Sequence, residues 1–237
     1  MIVGLLHPGE MGASVGRVLQ GNGHDVVWAP PGRSEATRER ARSFVAATSL
    51  EELAQRAEVI LSICPPHAAL DVARSVQGFD GIYVDANAIS PMRAREVAAL
   101  QPRFVDGGIV GGPPDEPGTT LYLSGDEAAT VSVLFEGSDL EPHVCGDASA
   151  VKMAYAAWTK GTAALLLAIR DVARHFDVER EWQLATPELA GRLAAAEASA
   201  AAKGWRWIGE MQEIADTFAA ARQPEGFHRA AAEVYRS

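Results

Sequence analysis

Short apolar runs alternate with amphipathic segments through the first half of the chain. Six of these runs have the length and composition of buried strands, at 2–6, 25–29, 59–64, 82–86, 104–107 and 120–124. Helical patterns separate them. Two of these helices have clear start signals, Ser49 with Glu52 three residues later and Ser90 before Pro91. The alternation predicts an α/β fold of the Rossmann type, a doubly wound parallel sheet.

The pattern changes near Gly146, after which no convincing strand follows. Helices are predicted at 148–175, 187–203, 205–221 and 225–236. The chain is therefore expected to hold two domains, a Rossmann domain at 1–147 and a small all-α domain at 148–237. Such a small domain buries little apolar surface by itself. We therefore expect a homodimer in which helices of one copy complete the cleft of the other and help to bind the substrate.

A glycine-containing turn joins the first strand to the first helix. The residues predicted to bind a dinucleotide there are His7, Pro8, Gly9, Glu10, Met11 and Gly12. A turn with little side chain lets a pyrophosphate approach the backbone, and the helix N-terminus offers N–H groups and a positive dipole end. Gly9 and Gly12 match the dinucleotide fingerprint, whereas His7 stands where its first glycine would be.

The end of the second strand indicates which dinucleotide binds. NAD-binding proteins usually carry an acidic residue there, which holds the ribose 2′-hydroxyl. This chain instead has Arg33 and Ser34, a guanidinium and a hydroxyl that suit a 2′-phosphate. NADP(H) is therefore predicted in preference to NAD(H), although Ser34 can also serve as a helix cap. Cys64 and Pro65 follow another strand at the ligand-binding edge and are predicted to contact the cofactor.

Composition excludes several other classes of function. The formal net charge of −10 over 237 residues disfavours nucleic acid or an anionic membrane as a partner. The two cysteines, Cys64 and Cys145, form no motif with other metal-ligating residues, so neither a disulfide framework nor a metal site is predicted. No signal-peptide pattern opens the chain and no apolar run is long enough to span a bilayer. A cytoplasmic protein is expected.

Four motifs in a fixed order carry a family resemblance. They are Gly-Glu-Met-Gly at 9–12, Asp-Ala-Asn-Ala-Ile-Ser-Pro at 85–91, Asp-Gly-Gly-Ile-Val-Gly-Gly at 106–112, and Gly-Asp-Ala-Ser-Ala-Val-Lys at 146–152. With these, the chain resembles the β-hydroxyacid dehydrogenases, the group of 3-hydroxyisobutyrate and 6-phosphogluconate dehydrogenases. It is most similar to a branch with a short C-terminal domain of unknown function. The resemblance implies an enzyme that transfers a hydride between NADP(H) and a small hydroxy or oxo acid.

The resemblance also assigns roles to residues. Lys152 matches the catalytic lysine of the family and would be the general acid and base. The predicted substrate contacts are Asn87, Gly111, Gly112, Tyr155 and Thr159, and Asn87 would also touch the nicotinamide. Tyr155 and Thr159 follow Lys152 by three and seven residues, so they are expected on the same helix face.

The substrate itself does not carry over from the family. Asn87 stands in the place of a motif serine, Val110 in the place of another, and Tyr155 and Ala156 replace two asparagines. Two alternatives therefore stay open. One is an imine reductase of the same fold, and the other is a non-catalytic NADP(H)-binding protein.

Overall fold

The computed structural model describes residues 1–236, which form two compact units. The first unit is Met1–Lys152 and the second begins at Met153. The expected domain boundary, between 147 and 148, is five residues before the observed one. The observed boundary is later because the first residues of the following helix pack on the sheet of the first unit. Residue 237, the last of the expected helical domain, lies outside the described part.

An eight-stranded sheet forms the centre of the first unit. Its strands are β1 Ile2–Leu6, β2 Asp25–Trp28, β3 Val45–Ala46, β4 Val59–Ser62, β5 Ile82–Asp85, β6 Phe104–Val110, β7 Thr119–Ser124 and β8 Leu140–Val144, in the spatial order β3-β2-β1-β4-β5-β6-β7-β8. The predicted Rossmann fold is confirmed. The first six strands are parallel, whereas β7 is antiparallel to β6 and parallel to β8. The loop 111–118 between β6 and β7 explains the reversal, since a parallel crossover needs about a dozen residues or more.

Six helices belong to the first unit, α1 Glu10–Gly21, α2 Glu35–Arg40, α3 Leu50–Arg56, α4 Ala69–Ser75, α5 Pro91–Ala98 and α6 Ala128–Ser132. Successive side chains along a strand point to opposite faces of the sheet, and each face has its own hydrophobic cluster. Val3 and Leu5 belong to one cluster, and Leu6 belongs to the other. The sheet is thus covered on both faces. The strand order reverses beside β1, which lies between β2 and β4, and ligands of such sheets bind at that point.

The second unit is helical throughout its described length. Helix α7, Ala148–Ala156, continues through a π-helical turn at Ala157–Gly161 into α8, Thr162–His175, so the predicted helix at 148–175 is present. Helix α9, Glu179–Ala185, was not predicted. The two helices expected at 187–203 and 205–221 are wrong as separate elements, because α10 runs unbroken over Ala190–Ala220. Helix α11, Gly226–Val234, follows.

Polar contacts brace the π-helical turn. Lys160 forms an ion pair with Glu210, and its ammonium lies 5.6 Å from the ring centre of Trp207. The Tyr235 hydroxyl donates to the Lys160 carbonyl at 2.6 Å, and the Trp207 and Tyr235 rings meet edge to face. The wider turn is therefore held by side chains from two other segments of this unit. Within residues 1–236, no helix has both the length and the apolar character that crossing a bilayer requires.

Candidate active site

The turn after β1 has the geometry of a phosphate-binding loop. His7 adopts a left-handed backbone with φ of 64°, and its carbonyl accepts from Gly9 N at 2.7 Å. A Cβ at position 12 would lie 2.7 Å from that same carbonyl oxygen, so Gly12 is required. Gly9 caps α1 without a side chain. The first N–H groups of α1, which lack intrahelical acceptors, therefore remain for an anion.

Arg33 and Ser34 follow β2 but have different contacts. The Ser34 hydroxyl accepts from Thr37 N at 3.3 Å and caps α2, which is the structural role left open by the sequence. Arg33 is half-buried, and its Nε has no hydrogen-bond partner in the described chain. Burial lowers the Arg33 pKa, and its charge acts on both His7 and Cys64. The guanidinium thus faces the loop after β1 and the end of β4.

Asn87 ties together the ends of β4 and β5. Its side-chain oxygen accepts from Cys64 N, and its amide nitrogen donates to the Ser62 hydroxyl at 3.2 Å. Its backbone N–H donates to Asp85 at 3.0 Å, and the residue is only 2% exposed. Asn87 therefore lies at the predicted edge and fixes the segment that carries Cys64. Its contact with nicotinamide or substrate stays a prediction.

Cys64 lies at this edge but is not a nucleophile. Burial, followed by the charge of Asp85, raises the pKa of its thiol to about 12. The thiol is protonated near neutral pH, and a thiolate is needed for attack. Cys64 and Pro65 are predicted to contact the cofactor, and such a contact does not require a reactive thiol.

Lys152 lies over the end of β6. Its Nζ donates to the Ile109 carbonyl at 2.7 Å. A Cβ on Gly108 would lie 3.0 Å from the Lys152 Cβ and 2.7 Å from the Ala148 carbonyl, so α7 starts directly on the strand. Asp85 of β5 pairs in register with Asp106 of β6. The residues just beyond these two aspartates therefore lie at one edge of the sheet. They are Asn87 after β5 and Ile109 of β6, whose carbonyl accepts from Lys152.

Asp106 anchors the start of α7, a role that the sequence analysis did not find. Its buried carboxylate accepts from the backbone N–H of Ser149 at 2.7 Å and from the Ser149 hydroxyl at 2.6 Å. Ser124 donates to it at 3.2 Å. Burial raises the Asp106 pKa, while the Ser149 bonds oppose that rise. The anchor fixes the helix turn that precedes Lys152.

The loop between β6 and β7 contains the two predicted glycines. Gly111 has φ of 127°, and a Cβ there would lie 2.5 Å from the Thr119 hydroxyl, so the position requires glycine. That hydroxyl donates to the Gly112 carbonyl at 2.8 Å. Further along, Asp115 accepts from Ser14 and Arg17 of α1, both at 2.7 Å. Asp115, missed in the sequence, fastens this exposed loop to the helix that starts at the phosphate-binding turn.

Tyr155 and Thr159 belong to the second unit. Tyr155 is 40% exposed, and its carbonyl accepts from the Thr159 hydroxyl at 2.9 Å. Thr159 lies in the π-helical turn, where the α-helical spacing used to select it does not hold. The substrate contacts assigned to both residues stay predictions.

The strand order and the turn after β1 are typical of a Rossmann domain that binds a dinucleotide. Two family models divide the chain in the corresponding way. Residues 2–89 match the family described as NADP oxidoreductase, coenzyme F420-dependent, and residues 177–237 match a domain family of unknown function, DUF1932. This order agrees with the branch that the motifs indicated, in which a dinucleotide-binding domain precedes a short C-terminal domain of unknown function.

Two individual proteins are similar to this chain over most of its length. An uncharacterised 28.5 kDa protein of Methanothermus fervidus is 28% identical over 181 residues, 73% of this chain and 71% of that protein. The structure of a conserved protein of unknown function, described as similar to 3-hydroxyacid dehydrogenases, is 29% identical with a TM-score of 0.74. The match covers 100% of this chain and 97% of that one.

Two more distant structures share the fold. Mycobacterium tuberculosis 3-hydroxyisobutyrate dehydrogenase with L-serine is 18% identical, with a TM-score of 0.72 over 99% of this chain and 92% of that one. Streptomyces aurantiacus imine reductase is also 18% identical, with a TM-score of 0.54 over 100% and 93%. The fold is therefore common to enzymes that act on C–O and on C–N bonds.

Proposed function

We propose that the protein is an NADP(H)-dependent oxidoreductase that acts on a small hydroxy or oxo acid or a related carbonyl compound, with Lys152 as the general acid and base. The observation that carries the proposal is the Lys152 amine, held 2.7 Å from the Ile109 carbonyl at the ligand-binding edge of the sheet. The NADP oxidoreductase family of residues 2–89 supports the cofactor class.

The cofactor would bind through the turn after β1 and through Arg33. The backbone of residues 7–12 would hold the pyrophosphate at the N-terminus of α1, where the absence of a Cβ on Gly12 keeps the turn closed. The half-buried Arg33 favours a 2′-phosphate, and so favours NADP(H) over NAD(H). When bound, the dinucleotide supplies the carbon that gives or accepts the hydride.

Lys152 would transfer the proton that accompanies the hydride. In reduction its ammonium donates to the oxygen of the former carbonyl, and in oxidation the neutral amine accepts that proton. Its bond to Ile109 holds Nζ at the strand end. Asn87, fixed between Cys64 and Ser62, and the backbone N–H groups of Gly111 and Gly112 are the proposed substrate contacts, together with Tyr155 and Thr159.

Imine reduction is the second candidate. It is favoured by the fold likeness to an imine reductase and by Tyr155, a partly exposed phenol one helical turn after Lys152. The lysine at the sheet edge favours the carbonyl chemistry, because imine reductases of this fold typically carry an acidic residue or a tyrosine in its place, and an ammonium can donate to a forming alkoxide.

A substrate panel tests these candidates. The protein is incubated with NADPH and oxo acids, aldehydes or cyclic imines, and loss of reduced cofactor is followed by absorbance. We expect turnover of an oxo compound that falls by about 100-fold or more in Lys152→Ala, the range expected when an acid-base group is removed. Exposed Lys203→Ala is the matched control and should retain activity.

The other outcomes discriminate among the alternatives. Turnover limited to imines would support the second candidate. Tight NADPH binding without turnover across the panel would contradict catalysis and favour a binding protein. Equal turnover by wild type and Lys152→Ala would contradict the role of the lysine.

We also propose that the chain works as a homodimer. The support is an apolar row along α8 and its C-cap. Leu165, Ile169, Val172 and the cap residue Phe176 are all at least 40% exposed, at spacings of four, three and four residues. Large apolar side chains in such a row are typical of a protein interface.

A further inference from the structure

His7 departs from the glycine pattern at a position where glycine would be easier to accommodate. Its φ of 64° lies in the left-handed region, which side chains with a Cβ seldom adopt. The turn itself does not need an imidazole, because the hydrogen bond from Gly9 N uses only the His7 carbonyl. A backbone outlier of this kind at a ligand-binding edge suggests that the side chain has a function.

The imidazole lies beside Arg33. The two groups are close enough for the guanidinium charge to lower the His7 pKa, although burial is the larger cause, and the result is about 4. His7 Nδ1 and Arg33 Nε are both buried, and neither has a hydrogen-bond partner within residues 1–236. Two neighbouring nitrogen atoms, one of them on a cation, therefore lack a hydrogen-bond partner. Buried polar atoms normally have one.

The surrounding titratable groups do not supply the missing anion. The Cys64 thiol at the end of β4 faces Arg33, and Asp85 at the end of β5 faces Cys64. Burial and the charge of Asp85 raise the Cys64 pKa to about 12, so the thiol that interacts with Arg33 is neutral near pH 7. A ligand with several anionic oxygens would satisfy both nitrogens at once.

We propose that His7 and Arg33 together bind the 2′-phosphate of NADP(H), so that His7 is a determinant of cofactor specificity and not only part of the turn. This inference rests on the proposed function. Arg33 follows β2, the strand whose end faces the adenosine ribose in Rossmann domains. The N-terminus of α1 would bind the pyrophosphate. The other phosphate of NADP(H) is the 2′-phosphate, which NAD(H) lacks, and it is the group left for His7 and Arg33.

The proposed contact between His7 and the 2′-phosphate would be coupled to protonation of the imidazole. In the ligand-free protein His7 is neutral near pH 7, because burial and Arg33 hold its pKa low. A phosphate dianion raises the pKa of an adjacent imidazole, so NADPH binding takes up a proton. The preference for NADPH over NADH should therefore increase as the pH falls from about 8 toward 6, near the second pKa of the phosphate itself.

Calorimetric titration of NADPH and NADH into His7→Gly tests the proposal. Glycine suits the left-handed backbone, so the variant keeps the turn. We expect NADPH affinity to fall about tenfold, as for loss of one charge-assisted hydrogen bond, with little change for NADH. The proton uptake, measured from the heat in buffers of different ionisation enthalpy, should disappear as well.

Two further variants sharpen the result. Arg33→Gln should also lower NADPH affinity selectively, and the double variant should lose less than the product of the two single effects, because the residues share one ligand group. Arg40→Gln, which changes an exposed arginine of the helix α2 that follows Arg33, is the control and should bind NADPH like the wild type.

The proposed function and this inference fail in different ways. A wild-type protein that binds neither dinucleotide would overturn both. A wild-type protein that binds both dinucleotides equally, or a His7→Gly variant that weakens both by the same factor, would overturn the inference alone.

Discussion

Asp85 is fully buried at the end of β5, and its Oδ2 has no hydrogen-bond partner in the described chain. Burial, the largest cause, raises its pKa to about 7, and the bond from Asn87 N opposes the rise. The folded state therefore favours the protonated carboxyl far more than the unfolded state does. Near neutral pH this residue lowers the stability of the fold while it holds the turn that carries Asn87.

Asp85→Asn should change the pH dependence of stability. Because the folded pKa lies above the unfolded value, the stabilisation from this group is present below about pH 4 and is lost as the pH rises through about 7. The variant keeps an oxygen for Asn87 N and cannot ionise. We expect its free energy of unfolding in urea to decline less than that of the wild type between acidic and slightly alkaline pH, with a difference on the order of 1–3 kcal/mol. Parallel declines in both proteins would contradict this account.

The residues of the site differ in how far the sequence could predict them. Gly9, Gly12 and Lys152 are recognisable because local motifs carry them. Asp106 and Asp115 are not, because their partners lie 43 and 101 residues away and no local pattern reports such contacts. Long-range polar contacts of this kind become visible only when the fold brings the segments together.

Among the elements, the missed strands are both at the edges of the sheet. β3 has only two residues, and β8 contains Pro142 with exposed neighbours, a composition that argues against a central strand. An edge strand tolerates proline because one side of its backbone needs no partner. The central strands were predictable because both of their faces are buried, which gives continuous apolar runs.

Helix α10 shows the opposite error, in which a helix continues where a break was predicted. The predicted helices end at 203 and begin at 205, so the predicted break coincides with Gly204, a residue type that weakens a helix interior. In the structure Gly204 is buried, and a Cβ there would lie 3.5 Å from the Tyr235 ring. Tertiary packing therefore decides whether the helix continues, and the intrinsic preference of one residue does not.

Gly204→Ala should stabilise α10. The added methyl group would meet Tyr235 at ordinary van der Waals distance, and alanine loses less backbone entropy on folding than glycine. We expect an increase of about 0.5–1 kcal/mol in the free energy of unfolding. Gly209→Ala, on the same helix with nothing within 4 Å of its Cβ, is the matched control for entropy alone. A loss of stability in Gly204→Ala with a gain in Gly209→Ala would mean that the contact is too tight.

At the scale of the whole molecule, the proposed dimer accounts for the exposed apolar surface of the second unit. Besides the row on α8, an apolar groove of about 560 Å³ lined by Leu165, Phe227 and His228 lies in this unit. Leu165 and Phe227 are 62% and 72% exposed, more than a chain acting alone would be expected to leave in water at one place. A second copy with the same surface would cover both features.

Light scattering after gel filtration tests the dimer. We expect wild-type protein at micromolar concentration to have twice the mass of one chain. Leu165→Glu combined with Val172→Glu should give a folded monomer, because two carboxylates would be buried in the interface. The same pair of changes at exposed Val45 and Val133 of the first unit should leave the dimer intact. A wild-type monomer, or a dimer that survives the α8 changes, would contradict this interface.

The central claim is that the turn after β1 binds a nicotinamide dinucleotide, and calorimetric titration of NADPH into the wild type and into Gly12→Ala tests it most directly. The account predicts saturable binding of one NADPH per chain by the wild type. It predicts loss of that binding in the variant, whose Cβ would lie 2.7 Å from the His7 carbonyl. Absence of binding by the wild type to both NADPH and NADH, or unchanged binding by Gly12→Ala, would contradict it.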